Sequence, residues 1–191
     1  MNALKSLAHI IFGEYALYEI YALSLNHAEP TKKVARDLVL APILDPAELA
    51  TAPAEEVRQL ARYAGPDAAC FAAWKQGRMA AACWFWFGET YKQRNFWPVG
   101  EREAKLVQIT VDQEFRGQGI ARQLLRYVAD VMRQRDFNQL FARIWHSNLA
   151  SIKAFEAAGW RNVAIVAELH PVWTSKPLPL EWTKPAFRKP R

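Results

Sequence analysis

The sequence predicts a mixed α/β fold, one central sheet flanked by helices, on three observations. Segments of strand character alternate with segments of helical period along the chain. Two apolar, aromatic runs at 68–74 and 79–87 bracket Lys75-Gln76-Gly77-Arg78, which is the pattern of a hairpin. An extended segment at 106–111 leads through a glycine turn, Gly117-Gln118-Gly119, into an amphipathic helix. With 191 residues, 51% of them hydrophobic, the chain can bury one substantial core. The expected organisation is an N-terminal helical extension over 1–34, a domain over 35–183 and a basic tail over 184–191.

Residues 4–25 place Leu4, Leu7, Ile11, Tyr15, Tyr18 and Ala22 at helical spacing, which predicts an amphipathic helix. Such a helix docks on the domain, joins two copies in a homodimer, or lies on a membrane surface as a peripheral contact. A strand is expected at 37–43. Helical turns follow over 46–63, with Val57, Leu60 and Ala61 in register, up to the break at Gly65-Pro66. In the second hairpin strand Trp84 and Trp86 face one way and Phe85 and Phe87 the other, so both faces are expected to be buried. Residues 88–100 read as a charged loop with exposed aromatics, and Glu89, Tyr91, Phe96 and Trp97 are its candidate substrate contacts. Then come a strand at 105–111, a helix at 117–135 with Ile120, Leu124, Leu125, Val128, Val131 and Met132 on one face, and a strand at 139–145. A short helix at 149–158 ends at Gly159, and strands at 160–167 and 178–182 complete six to seven in all.

The net charge of +6 sits largely near the ends, in Lys32, Lys33, Arg36, Lys184, Arg188, Lys189 and Arg191. It suits an anionic ligand. A nucleic-acid or membrane-surface function would rest on those terminal charges and explains none of the central motifs, so no nucleic-acid partner is expected. No apolar run approaches the roughly 20 residues of a transmembrane helix. Cys70 and Cys83 fall opposite each other if the hairpin turns tightly at Gln76-Gly77, and buried thiols in a reducing cytoplasm are the expectation. His9, His27, His146 and His170 are scattered, so no metal site is expected.

The glycine turn carries the chemistry. Glycines there admit a ligand close to the backbone, and the free amides of a helix N-terminus receive phosphate oxygens. Arg116 and Arg122 flank the turn and can add charge-assisted bonds. A nucleotide-phosphate loop would need Lys and Ser or Thr after its second glycine, where Ile120 and Ala121 stand. A dinucleotide fingerprint would need Gly or Ala where Arg122 stands.

Together, residues 107–112, Arg116-Gly117-Gln118-Gly119-Ile120-Ala121, Leu124-Leu125 and the stretch from Asn148 through Gly159-Trp160 resemble the core of the GNAT (Gcn5-related) N-acyltransferase family. The family signature of Arg or Gln, two residues, Gly, one residue, then Gly or Ala is met by Arg116, Gly119 and Ala121. The resemblance implies a mostly antiparallel mixed sheet with one splayed pair of strands and acetyl-CoA as the cofactor. Main-chain groups of Ile109, Thr110 and Val111 would pair with the pantetheine arm. The amides of Gln118 to Ala121 would hold the pyrophosphate, and Asn148, Ser151 and Phe155 would line the tunnel.

The implied reaction is direct acetyl transfer to a primary amine of a small-molecule acceptor. Two catalytic groups common in the family are replaced: the acid tyrosine by Phe155 and the strand glutamate by Arg143. The remaining candidates are Glu103, preceding the splayed strand, and His146, at the end of its neighbour. The alternatives are transfer of a longer acyl chain, acetylation of a protein amine, and a silent CoA-binding or interaction module.

Overall fold

The computed structural model describes residues 14–26, 34–92, 97–170 and 178–184. Eight strands build one sheet: β1 (Glu14–Ser24), β2 (Leu38–Ile43), β3 (Ala68–Lys75), β4 (Arg78–Trp86), β5 (Glu103–Val111), β6 (Gln139–Trp145), β7 (Arg161–His170) and β8 (Leu178–Thr183). Their order is β2-β3-β4-β5-β6-β1-β7-β8, and every pairing is antiparallel except β5 with β6. Among the described residues the helices are α1 (Glu55–Arg58), α2 (Gly88–Lys92), α3 (Ile120–Gln134) and α4 (Leu149–Ala157). Short 3-10 turns at Pro46–Thr51 and Gln59–Tyr63 flank α1 and supply the helical turns expected there.

The helix expected over 4–25 is corrected for its described part. Glu14–Ser24 is a strand in the middle of the sheet, hydrogen-bonded to β6 on one edge and β7 on the other. Tyr18, Ile20 and Ala22 are buried on one face and Tyr21 and Leu23 on the other. A strand covered on both faces reads as a continuous apolar run whose period does not separate strand from helix. Its insertion also brings the count to eight strands. Residues 1–13 lie outside the described residues.

The hairpin forms as expected, with Gln76 and Gly77 at positive φ, but its register holds a surprise. A bulge between Ala73 and Trp74 shifts the pairing so that Cys83 faces Phe71 and Cys70 faces Trp84. The two cysteines therefore point to opposite faces of the sheet, in different apolar clusters. Both are free thiols, and burial pushes Cys70 up to about 12 and Cys83 well above the usual thiol range.

One face of the sheet packs against α3 and α4 through Ile120, Leu124, Leu125, Val128, Met132 and Phe155. Full burial of such side chains contributes about 1.5–3 kcal/mol each. On the opposite face, the turns of 46–63 cover β3 and β4, and Trp97 covers β1, β6 and β7. Within this frame an opening lies between β5 and β6.

Candidate active site

The opening arises where two paired strands part. β5 and β6 pair from Glu103↔Gln139 to Leu106↔Ala142 and no further, whereas the other edge of β5 stays paired with β4 as far as Val111. Beyond Leu106, one edge of β5 thus offers main-chain N–H and C=O groups to a cleft. The cleft has two mouths. The larger, about 560 Å3, is lined by Ile109, Thr110 and Val111 on one wall and by Asn148, Ser151 and Phe155 on the other. Its floor is the glycine turn, with Arg116, Gly117, Gly119, Ile120 and Ala121. The smaller mouth, about 320 Å3, is lined by Lys105, Val107, Arg143 and Trp145, among others. Gln108, Ile109, Asn148, Ser151 and Phe155 line both mouths, so the two meet in a common throat.

The turn suits a phosphate-bearing ligand. Gly117 and Gly119 adopt φ of +76° and +73°, a left-handed conformation natural to glycine, and a Cβ on Gly117 would point into open space. Gly119 is the N-cap of α3, and no side chain caps the first turn. The helix ladder begins with the Gln123 N–H to the Gly119 carbonyl at 3.1 Å, so the amides of residues 120–122 precede it and the positive end of the helix dipole faces the larger mouth. These features fit the pyrophosphate of a coenzyme A thioester.

Side chains beside the turn hold one another. Arg116 donates through Nε to the Val111 carbonyl at 3.0 Å and lies 3.8 Å from Glu56, which also lines the larger mouth. Gln118 accepts from Lys75 Nζ at 2.6 Å and donates to the Glu114 carbonyl, so its side chain braces the turn while its backbone forms it. Arg122 follows on the first turn of α3, its guanidinium 3.5 Å from where a Gly119 Cβ would sit. Asn148 accepts from the Ser151 N–H at 3.1 Å, capping α4 while it lines the throat. Phe155 is buried edge-to-face against Trp160, 5.0 Å between centroids, and brings hydrocarbon to the throat.

The sequence-based candidates for catalysis and acceptor binding are placed elsewhere. Glu103 stands at the closed end of β5 and accepts the Gly100 N–H at 2.8 Å. Lys105, the nearest wall residue of the smaller mouth, is two residues on, about 7 Å at 3.3 Å per residue. His146 lies at the end of β6 with Nδ1 3.1 Å from the Leu17 carbonyl. Neither lines the described walls of either mouth. Glu89 is exposed and ion-paired to Lys92 on α2.

The reading of Tyr91 and Trp97 as exposed rings is corrected: they are 4% and 1% exposed. The Tyr91 hydroxyl donates to the Trp97 carbonyl and accepts the Trp97 N–H at 3.1 Å, and the Trp97 ring packs on Phe141. Phe96 lies outside the described residues.

Burial raises the Glu103 carboxyl above its ordinary 4.5, against the lowering effect of the Gly100 bond. The folded state thus favours the protonated form, a contribution fully present below the unfolded value and lost as pH rises through the raised one. Glu103→Gln should match the parent protein's urea midpoint at pH 4 and exceed it at pH 7.5. With Glu103 outside the cleft, kcat should change less than twofold; a larger fall would return Glu103 to the reaction.

Sequence reasoning passed over the walls of the smaller mouth, namely Lys105, Arg143 and Trp145. The signal was available: Lys105 and Val107 alternate toward the face opposite α3, and Arg143 and Trp145 do the same on the neighbouring strand.

Comparisons with known proteins agree with this geometry. The model of the acetyltransferase (GNAT) family matches residues 33–160, two thirds of the chain. The chain belongs to the GNAT acetyltransferase family. Among curated relatives, the [Ribosomal protein bS18]-alanine N-acetyltransferase of Escherichia coli is 32% identical over 69 residues, 36% of this chain. That match spans 47% of the relative, about half its length. The crystal structure of the ribosomal-protein-S18-alanine N-acetyltransferase from Escherichia coli aligns with a TM-score of 0.50 at 20% identity, over 72% of this chain and 97% of that one. A GNAT-family acetyltransferase from Colwellia psychrerythraea aligns with a TM-score of 0.57 at 17% identity, over 88% of this chain and 61% of that one. At these identities the structural likenesses establish the shared fold.

Proposed function

We propose that this protein transfers an acetyl group from acetyl-CoA to a primary amine of a small-molecule acceptor. The observation that carries the reading is the pair of mouths on one throat. One has the form of a phosphate cradle, and the other opens on a different set of side chains. The donor enters by the larger mouth, its pyrophosphate on the amides of the glycine turn and its pantetheine arm along the free edge of β5 as an added strand. Its thioester supplies the electrophile.

The neutral amine arrives through the smaller mouth. A C–N bond forms as the C–S bond breaks, the electron pair leaves with sulfur, and the proton on nitrogen passes to water in the exposed mouth. Phe155 stands where the family's acid tyrosine would, so that group does not protonate the leaving thiolate. Lys105 and Arg143 are cations beside the acceptor, and nearby positive charge lowers the pKa of an amine and favours its nucleophilic form. Positioning supplies the rest of the rate. The cytoplasm, where the donor is made and thiols stay reduced, is the proposed location.

Calorimetric titration with acetyl-CoA, CoA and a long-chain acyl-CoA tests the donor half. Micromolar binding with preference for acetyl-CoA is expected. Preference for the long chain would replace the donor, and absence of binding to all three would leave an interaction module. The second reading, a protein N-terminus as acceptor, is favoured by the names of the curated relatives. An alanine-starting peptide acetylated faster than any free amine would establish it.

A further inference from the structure

Resting on the acetyltransferase reading, we infer that the acceptor carries a carboxylate as well as its amine, and that Arg143 and Lys105 at the smaller mouth bind it. The acceptor is then of amino-acid type. Among the described residues lining that mouth two are cationic and none is Asp or Glu, so its walls favour a substrate that carries a carboxylate beside its amine.

Arg143 is built to receive a planar anion. Its guanidinium lies over the Tyr18 ring at 4.5 Å, which fixes its plane. Glu168, 3.9 Å away, holds one edge, and the side chain remains 32% exposed. A guanidinium has five N–H donors in a fork, a geometry that can serve two carboxylates at once. Burial and the Glu168 carboxylate hold the Tyr18 phenol well above its usual range, so the ring stays a neutral support.

Lys105 adds charge from the adjoining strand. It is 4% exposed, with its ammonium 5.9 Å from the Tyr91 ring centre. Trp145, 53% exposed and edge-to-face on Tyr18 at 5.3 Å, gives the mouth an apolar wall for the acceptor's side chain. At about 320 Å3 the mouth is at the small end of ligand pockets, the size for a free amino acid or a close derivative. The supports of Arg143 come from β1 and β7, outside the residues that match the family. Acceptor choice is thus written in segments that the shared catalytic core does not include.

The test is a matched panel of acceptors: free amino acids, their carboxamides and the corresponding decarboxylated amines, with CoA release followed by a thiol reagent. For the parent protein, kcat/KM should be at least tenfold higher for the carboxylates than for either partner. Arg143→Gln should bring that ratio to near one with acetyl-CoA affinity unchanged, and Arg143→Lys should restore part of it. Carboxamides or plain amines turned over as well as carboxylates would overturn the inference, as would a ratio that survives Arg143→Gln, or a panel in which no carboxylate-bearing amine reacts. Failure of acetyl-CoA to bind is a separate outcome: it brings down the acetyltransferase reading, and this inference with it.

Discussion

Gly119→Asp is expected to abolish measurable acetyl-CoA binding while the protein stays folded. The substitution sets a carboxylate at the uncapped start of α3, where the donor's pyrophosphate would rest. Two unit charges about 4 Å apart near a protein surface repel by about 4 kcal/mol, which is on the order of a thousandfold in Kd. The fold tolerates the change for two reasons. Aspartate adopts the left-handed conformation more readily than most residues, and its side chain can cap the amides it exposes. A Cβ at Gly119 meets only the flexible end of Arg122 at 3.5 Å. Gly119→Ala separates backbone from charge and should weaken binding by less than tenfold. Calorimetry on both variants, with circular dichroism as the check on folding, decides the matter. Full affinity in the aspartate variant would remove the glycine turn from the donor site.

Trp97→Ala is expected to destabilise the protein by about 3–5 kcal/mol, the range for emptying a large aromatic site in a core. For a chain of this size that is on the order of 10 °C in Tm. Trp97 is 1% exposed, closes the cluster of Ile20, Phe141 and Val166, and is tied through its backbone to the Tyr91 hydroxyl. A ring used only for stacking on substrate would give the opposite pattern, a raised KM with little change in Tm. Scanning calorimetry and acceptor kinetics on the one variant separate the two roles.

The contrast between these two positions shows what could be read in the sequence. Gly117, Gly119 and the stripe from Ile120 to Met132 are local: a turn and a helix period declare themselves within twenty residues. The turn and the helix that follows it were legible for that reason. Trp97 looked exposed because its neighbours are charged, and nothing local shows that β1, β6 and β7 come together beneath it.

The register of the hairpin was hidden for a similar reason. The bulge at Ala73 and Trp74 leaves no composition mark, yet it decides which face each cysteine takes. In β1, Tyr15 and Tyr18 fit a helical stripe, while the density of aromatic and β-branched residues in Tyr15, Tyr18, Ile20 and Tyr21 favoured a strand. The smaller mouth was missed because it is assembled from β5, β6 and α4, and its charge shows only when Lys105 and Arg143 are placed on facing strands.

The central place of β1 has a consequence for how the molecule is made. Its ties to the strands beside it close loops of 129 and 143 residues. On a translating ribosome, at 5–20 residues per second, β1 has to wait roughly 6–30 s after its own synthesis for β6 and β7 to emerge. Throughout that interval the early half of the sheet can form around β2 to β5, while the strand that completes it stays unpaired with apolar side chains on both faces. Entry of β1 between β6 and β7 therefore comes late, and the apolar side chains of Tyr18, Ile20 and Tyr21 stay uncovered until it does.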